Sequence, residues 1–231
     1  KETRRSHPLA SNGRVDDGIR LERQKKYLPF MVAEGCSFYD LYQQRFADNI
    51  GQLMNAAMRQ IEADNNQQLA GVLSAVDYNS ENALGTREHK NAILRDLLED
   101  FEPLDLRPSA IEVKEGQVPA DVIGDAYEYM IGQFASMAGK KAGSFYTPAA
   151  VSEIMARIVD VQPGERVYDP TCGSGSLLIK AAKKQNSKEV SIYGQEVNGS
   201  SVAMAKMNMY IHEIRDAKIA WGDTLANPLF L

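Results

Sequence analysis

Cysteine, histidine and tryptophan are scarce in this sequence of 231 residues. The two cysteines, Cys36 and Cys172, lie far apart and do not form the framework of a small disulfide-bonded domain. The three histidines, His7, His89 and His212, stand at no metal-ligand spacing with either cysteine. We therefore expect no metal site, and we interpret all three histidines as structural or surface residues.

Long apolar runs are also missing. No stretch approaches the roughly 18 consecutive apolar residues that a membrane-spanning helix requires, and the first residues lack the apolar segment of a secretory signal. Hydrophobic residues make up 44% of the chain and charged residues 25%, which is typical of a globular protein. We expect a cytoplasmic protein with one large domain or two modest ones, and no membrane partner.

An excess of positive charge is absent as well, because the formal net charge is −5. Contacts with nucleic-acid phosphates normally require a basic surface. Only the first 26 residues are locally basic, and we interpret the segment up to about residue 30 as solvated and irregular. If the protein acts on DNA, a partner is expected to supply much of the contact.

Apolar residues at helical spacing dominate the first 140 residues. Ile50, Leu53, Met54, Ala57 and Ile61 follow one face of an amphipathic helix. Similar stripes occur within 88–101 and 122–134, and a polar, proline-containing connection at about 103–119 separates them. We expect all three stripes to pack in a core. Residues 1–140 are thus predicted to form an all-helical domain.

Strands and helices alternate after Gly143. Thr147-Pro148 has the form of a helix N-cap followed by proline at the first helical position, and the helix is predicted to reach Val161. Strands are predicted at 166–168, 190–194 and 218–221, with helices at 177–184 and 202–214. This alternation predicts a parallel sheet of the doubly wound α/β class. Residues 141–231 would form such a domain, truncated after about three strands.

A glycine-containing segment, Asp169 to Ser176, follows the first predicted strand and leads into a helix. Open α/β sheets bind ligands at this place, beyond the carboxyl ends of their strands. Gly173 and Gly175 allow the backbone to approach a ligand closely. Asp169 would repel a phosphate, but it suits a cationic amine because opposite charges a few ångströms apart attract.

Two further acids stand at the ends of the next predicted strands. Glu196 lies about 20 residues beyond the glycines, where a carboxylate that binds ribose hydroxyls is expected. Asp223 ends the third strand and could accept a hydrogen bond from an adenine amino group. With Asp169, these acids match a nucleoside that carries positive rather than negative charge.

The segment Gly143-Ser144-Phe145-Tyr146-Thr147-Pro148, followed by Asp169-Pro170-Thr171-Cys172-Gly173-Ser174-Gly175, closely resembles the methylation subunit of type I restriction–modification systems. Tyr193–Glu196 and Gly222–Leu225 resemble the same family, as do Gly124–Tyr129 and Gly139–Ala142 upstream. The resemblance covers about residues 40 to 231. It implies an N-terminal all-helical domain, incomplete at its start because the family's usual opening helices are not evident, followed by the first half of a Rossmann-like methyltransferase domain that binds S-adenosylmethionine.

The resemblance also assigns site residues. It places Gly143, Ser144, Phe145, Tyr146, Thr147 and Pro148 in the cofactor pocket, with Phe145 packed against S-adenosylmethionine. Gly173, Ser174 and Gly175 would border the methionine portion, with Asp169 nearby. Glu196 would hold the ribose and Asp223 the adenine. Cys172 is interpreted as a packing residue and not as a nucleophile, because no base is visible near it.

The catalytic residues of that family lie in an Asn-Pro-Pro-aromatic motif after the fourth strand, where a base flipped out of the duplex is held. Asn227-Pro228-Leu229-Phe230 follows Asp223 too closely for a helix and strand to intervene, and Leu229 replaces the second proline. We interpret it as an ordinary loop. The catalytic asparagine is expected downstream of Leu231, and because a half-sheet leaves an unpaired edge, the sequence is expected to be part of a longer protein.

The implied function is methyl transfer from S-adenosylmethionine to the N6 atom of adenine in DNA, in an oligomeric complex with a specificity subunit and a restriction subunit. The acidic net charge agrees with a separate subunit for DNA recognition. One alternative is a dinucleotide-dependent oxidoreductase, although Leu178 stands where the third glycine belongs and Asp169 would repel a pyrophosphate. The other alternative is a non-catalytic assembly module with a vestigial pocket.

Overall fold

The computed structural model describes residues 30–184 and 189–230. The predicted basic, irregular segment therefore lies outside the described residues. The first part of the description is helical: α1 (Phe38–Gln43), α2 (Ile50–Asp64), α3 (Asn66–Leu69), α4 (Glu81–Leu84), α5 (Arg87–Phe101), α6 (Pro119–Ala138) and a 3-10 helix over Gly139–Ser144. No helix within the described ranges is long and apolar enough to cross a membrane.

Helices and strands then alternate in the order α7 (Ala149–Val159), β1 (Arg166–Asp169), α8 (Ser176–Lys184), β2 (Ser191–Glu196), α9 (Gly199–Ile211) and β3 (Lys218–Trp221). The strands pair in parallel in the order β1-β2-β3. In this register Asp169 lies beside Gly194, and Glu196 lies beside Trp221. The predicted helical region and parallel α/β region are therefore confirmed, and the acids at strand ends share one edge of the sheet.

The apolar stripe of α2 forms a core as predicted. Ile50, Met54, Ala57 and Ile61 are buried, and Leu94 of α5 packs with the first three. Burial of such a face supplies most of the stability of a helix in a protein. The sequence prediction is correct for this helix.

The stripes of α5 and α6 are only partly buried, and the prediction that they pack throughout in a core is wrong. Ile93 and Leu97 are exposed on α5, and Phe134 of α6 is 60% exposed, whereas Ile131 is buried. Among the described elements, α6 packs chiefly on α9 and the 3-10 helix. These two neighbours cover only part of the apolar face of α6, so the rest of that face is exposed.

The sheet packs against α8 and α9 through one face. Leu178 and Ile179 of α8, Ile192 of β2, and Ala205 and Met209 of α9 are buried together there. Because α8 must pack in this core directly beside β1, the chain after Asp169 has to turn sharply before α8 begins. The opposite face carries Tyr168 and Tyr193, and the ring of Phe230 packs on both.

Some predicted boundaries are wrong for identifiable reasons. Helix α9 begins at Gly199 and not at 202, because the side chain of Asn198 accepts hydrogen bonds from the N–H groups of Ser200 and Ser201. The predicted N-cap at Thr147 is wrong by one residue, since Pro148 has extended dihedrals and occupies the cap position of α7. Strand β2 continues two residues beyond the predicted end, to Glu196.

The helical region contacts the α/β region at several points. Lys206 Nζ of α9 donates to the carbonyl of Ala70 at 3.0 Å, and Lys180 Nζ of α8 lies 2.9 Å from Glu128 Oε2 of α6. Phe30 also packs on Tyr210, with ring centroids 6.0 Å apart. The two regions therefore meet along α9 and α8, and the division near residue 140 stays a prediction.

Candidate functional site

The turn between β1 and α8, residues 170–175, is called the glycine loop. Gly173 has φ +52° and Gly175 has φ +79°, which lie in the left-handed region that favours glycine. A Cβ atom on Gly173 would lie 2.8 Å from the carbonyl oxygen of Phe145, and one on Gly175 would lie 2.9 Å from Met209 Cε. The dihedral angle thus favours glycine at both positions, and at Gly173 close packing against backbone adds to this requirement, whereas Met209 Cε ends a flexible side chain.

The predicted aromatic-Thr-Pro segment, residues 143–148, lies directly across the glycine loop. The N–H of Ser174 donates to the carbonyl of Phe145 at 2.9 Å. Together the two segments and the end of β1 line a cavity of about 60 Å³. The predicted site residues on its wall are Gly143, Ser144, Phe145, Tyr146, Thr147, Asp169, Gly173 and Ser174, and further lining residues are Thr171, Cys172, Ser176 and Leu177.

Asp169 supplies the charge of this cavity. Its Oδ1 accepts a 3.0 Å hydrogen bond from the N–H of Thr171. Burial raises the pKa of Asp169, and the nearby Glu196 carboxylate adds to the rise. None of the described residues that line the cavity is basic. A cation placed here would relieve an unfavourable burial of negative charge, whereas a phosphate would worsen it.

Glu196, at the end of β2, lies beneath the glycine loop and is only 5% exposed. Its Oε2 accepts from the N–H of Gly173 at 3.0 Å, and its Oε1 accepts from the N–H of Asn198 at 2.7 Å. These charge-assisted bonds tie the loop after β1 to the loop after β2. The sequence predicted a ligand role for Glu196, and the structure adds a role in holding the loop.

Asp223 is exposed on the loop after β3 and does not line the 60 Å³ cavity. Its Oδ1 accepts from the N–H groups of Leu225 at 2.9 Å and Ala226 at 3.3 Å, which turns the chain sharply after β3. The neighbouring Thr224 hydroxyl donates to the carbonyl of Pro170 in the glycine loop. Asp223 is thus held near the same edge of the sheet as Asp169, with the end of β2 between them.

Two sequence-family models match the chain. Residues 1–101 match the HsdM N-terminal domain, and residues 118–231 match the N-6 DNA methylase model. The chain belongs to the N-6 DNA methylase family. The resemblance stated from the sequence is therefore confirmed.

Curated relatives and a solved structure agree with this assignment. The chain is 30% identical over 218 residues to the type I restriction enzyme MjaVIII methylase subunit of Methanocaldococcus jannaschii, covering 93% of this chain and 35% of that protein. It is 39% identical over 158 residues to the MpnII methylase subunit of Mycoplasma pneumoniae, covering 64% of this chain and 28% of that protein. The chain thus spans about a third of the length of these relatives.

The crystal structure of a type I restriction-modification system methyltransferase subunit from Streptococcus thermophilus superposes with a TM-score of 0.72. The two sequences are 30% identical, and the match covers 94% of this chain and 45% of that one. The order of helical region and parallel α/β region is therefore the order found in a methylase subunit of this type.

Cys172 packs inside this N-6 DNA methylase domain. Burial, with the charges of Asp169 and Glu196, raises the pKa of the Cys172 thiol to about 12, so the thiol is protonated at neutral pH. A Cβ atom on Gly194 would lie 2.9 Å from its sulfur, so the sulfur packs closely against β2. The geometry agrees with the interpretation of Cys172 as a packing residue.

The sequence predictions missed two buried polar side chains behind the site. Asn208 of α9 donates through Nδ2 to the carbonyl of Ser174 at 3.0 Å and supports the glycine loop from behind. Gln195 of β2 makes hydrogen bonds to the loop after β3. The sequence signal that could have identified them is a single polar residue on an otherwise apolar face of a predicted helix or strand.

The remaining predicted residues lie around this cavity. Pro148 caps α7, and Gly175 packs against α9 behind the loop. Asn227 and Phe230 belong to an irregular segment in which Phe230 packs on the sheet. A larger cavity of about 460 Å³ lies between α6, α7 and α8 and shares Tyr146, Thr147 and Ser176 with the small one. None of the three acids at the strand ends lines it.

Proposed function

We propose that the full-length protein is the methylation subunit of a type I restriction–modification complex and transfers the methyl group of S-adenosylmethionine to the N6 atom of adenine in DNA. The family membership supports the reaction class. The observation that carries the choice of cofactor is the half-buried Asp169, beside Glu196, in a cavity with no basic lining residue. Such a site favours a positively charged nucleoside over a phosphate-bearing one.

The residues present fit S-adenosylmethionine in charge and in the close approach to the backbone that they allow. Asp169 would accept from the methionine ammonium, while Gly173, Ser174 and Gly175 would let the ligand approach the backbone closely. The 143–148 segment would cover the methionine portion, with Phe145 in contact with the ligand. Because the cavity encloses only about 60 Å³, the adenosyl part would extend across the strand ends toward Asp223.

Glu196 and Asp223 would bind the nucleoside. Each carboxylate oxygen of Glu196 accepts one backbone N–H and retains capacity for a second donor, which a ribose hydroxyl would supply. Asp223 would accept from the adenine amino group. When bound, the cofactor supplies an electrophilic methyl group. The residues of this site would bind and orient it.

A separate specificity subunit would supply sequence recognition, and a restriction subunit would complete the complex. The net charge of −5 supports this division, because a chain with more acidic than basic side chains would bind DNA phosphates weakly on its own. The matched relatives are named as type I restriction enzyme methylase subunits. With DNA as its substrate, the complex would act in the cytoplasm.

Methylation of DNA by the full-length protein tests this proposal. The protein is incubated with labelled S-adenosylmethionine and DNA, with and without its specificity subunit. Label is expected at adenine N6, and only when the specificity subunit is present. Efficient, sequence-specific transfer by the protein alone would contradict the dependence on a partner. Calorimetry that shows binding of NAD but not of S-adenosylmethionine would favour an oxidoreductase, and binding of neither would favour an assembly module.

A further inference from the structure

Gln195 is a fully buried polar residue at the centre of the sheet, with an exposed fraction of 0%. Its Oε1 accepts from the hydroxyl of Tyr168 at 2.9 Å and from the N–H of Leu229 at 3.0 Å. Its Nε2 donates to the carbonyl of Asn227 at 2.9 Å. A side chain buried this completely is costly unless its polar atoms are paired, and the pairing here is with specific partners.

Two of these three bonds go to the backbone of one loop, residues 222–230, which follows β3. The ring of Phe230 at the end of that loop packs on Tyr168 and Tyr193, with centroids 5.8 Å and 5.2 Å apart. The loop contains no strand or helix. Its position over the sheet therefore depends on these side-chain contacts, together with two bonds near its start, from the N–H of Gly222 to the carbonyl of Glu196 and from the Thr224 hydroxyl to the carbonyl of Pro170.

The same loop carries Asp223 between two anchors. On one side, the N–H of Gly222 donates to the carbonyl of Glu196 at 3.0 Å. On the other side, the N–H of Asn227 donates to the carbonyl of Asp223 at 2.8 Å, and Asn227 is the residue that Gln195 holds. A shift of Asn227 would therefore be transmitted to Asp223.

Gln195 also contacts the glycine loop through its backbone. Its carbonyl accepts from the N–H of Cys172 at 3.0 Å. One residue thus joins the segment that would border the methionine portion to the segment that would recognise the base. A Cβ atom on Gly222 would lie 3.3 Å from Gln195 Nε2, so the side chain also packs closely beneath the start of the loop.

We propose that Gln195 is a positioning residue for adenine recognition: it fixes the 222–230 loop so that the carboxylate of Asp223 faces the amino group of the cofactor's adenine. This inference rests on the proposed function. It predicts that Gln195 controls the choice between a base with an amino group at position 6 and a base with a carbonyl there. A carboxylate accepts from the amino group and repels the carbonyl oxygen.

Calorimetry on the full-length protein tests this role with two ligands, S-adenosylhomocysteine and S-inosylhomocysteine, which differ at position 6 of the base. The wild type is expected to prefer the adenosyl ligand by about tenfold or more. Gln195→Met preserves the length of the side chain and removes all three hydrogen bonds. In this variant the preference is expected to fall by about fivefold or more.

A purely structural role for Gln195 would give a different result, because a general loss of stability lowers the affinity of the protein for both ligands by the same factor. An unchanged preference in Gln195→Met therefore overturns the inference while the proposed function stands. Gln52→Met, the same change at an exposed position of α2, should alter neither affinity. If the wild type binds neither ligand, the proposed function fails.

If Gln195→Met does not fold, a second variant tests the same role. Gln195→Glu keeps the acceptor for Tyr168 and Leu229 and, when ionised, replaces the donor to Asn227 with an oxygen that repels the Asn227 carbonyl. It should reduce the preference for the adenosyl ligand by about threefold or more, because one of the two loop contacts is lost. Asp223→Asn should produce a similar loss of preference without affecting the Gln195 contacts. A preference equal to that of the wild type in Gln195→Glu contradicts the role.

Discussion

The N–H of Gly173 donates a 3.0 Å hydrogen bond to Oε2 of Glu196, in a region where Glu196 is almost completely buried. The second oxygen of the same carboxylate accepts from Asn198. Two loops that follow different strands are therefore held by one acidic side chain. Because charged acceptors form the stronger hydrogen bonds, this carboxylate is a structural support of the site as well as a proposed ligand.

Glu196→Gln is expected to lower the free energy of unfolding by about 1–3 kcal/mol, because the amide offers one acceptor atom to two backbone donors and leaves one N–H unpaired. Urea unfolding of the wild type and the variant measures the difference. Glu115→Gln changes an exposed glutamate on a connection between helices and should have almost no effect. If both variants lose the same free energy of unfolding, the hydrogen bond from Gly173 to Glu196 does not contribute to stability as proposed.

Asp169→Asn is expected to stabilise the ligand-free protein at neutral pH by about 0.5–2 kcal/mol. Burial raises the folded-state pKa of Asp169, so ionisation above that pKa costs folding free energy. Asparagine is neutral, and its Oδ1 can still accept from Thr171. The gain should disappear as the pH falls and Asp169 becomes protonated. Thermal unfolding at about pH 7 and about pH 4 checks this, and a loss of stability at pH 7 would contradict it.

Gly173→Ala and Gly116→Ala form a matched pair, since both glycines have positive φ angles. Around Gly116 a Cβ atom would meet nothing within 4 Å, so the change should cost only the left-handed strain of about 1–2 kcal/mol. At Gly173 the same atom would meet the Phe145 carbonyl at 2.8 Å, and the loss should exceed that of Gly116→Ala by about 1 kcal/mol or more. Denaturant unfolding measures the free energy of unfolding of both variants. Equal losses of stability would contradict the close approach of the 143–148 segment to the glycine loop.

Stability is expected to fall as the pH is lowered from about 6.5 toward 4, because of His212. Burial first, and then the charge of Lys183, lowers the pKa of His212 from 6.5 to about 4. The unfolded chain therefore takes up a proton before the folded protein does. The stability contributed by neutral His212 is fully present above about pH 6.5 and is lost as the pH falls toward the folded value.

Urea unfolding at about pH 7 and about pH 5 measures this dependence. His212→Phe should make it shallower, because the ring contacts Gly124 and neither ring nitrogen has a hydrogen-bond partner among the described residues. The charges of Lys180, Glu128 and Asp125 also face the ring, and they remain in the variant. His89→Phe, at an exposed position, should leave the pH dependence as it is. An unaltered slope in His212→Phe would contradict the assignment.

Much of the fold is readable from the sequence because its signals are local. The three strands are short apolar segments between helices, and the glycine loop is marked by its composition. The start of α9 depends on the cap at Asn198, a signal that is present in the sequence but is easily passed over. The exposure of Phe134 could not be predicted, because periodicity shows which residues share a face and not what covers that face.

Some residues of the candidate site can be predicted from local sequence patterns, and others cannot. Asp169 and Gly173 are recognisable because a strand end, an acid and glycines follow each other in the chain. Gln195 and Asn208 act through partners about 30 residues away in sequence, and no spacing rule connects them to the site. Their roles become visible only when the burial of their amide groups and the identity of their hydrogen-bond partners are known.

The affinity of the full-length protein for S-adenosylmethionine, measured by calorimetry for the wild type and for Asp169→Asn, tests the central claim most directly. A charge-assisted hydrogen bond contributes about 1.5–3 kcal/mol, and each 1.4 kcal/mol corresponds to a tenfold change in affinity. The account predicts that the wild type binds the cofactor and that Asp169→Asn binds it about tenfold or more weakly, although the variant is the more stable protein. Equal affinity of the two proteins, or no binding by the wild type, would contradict it.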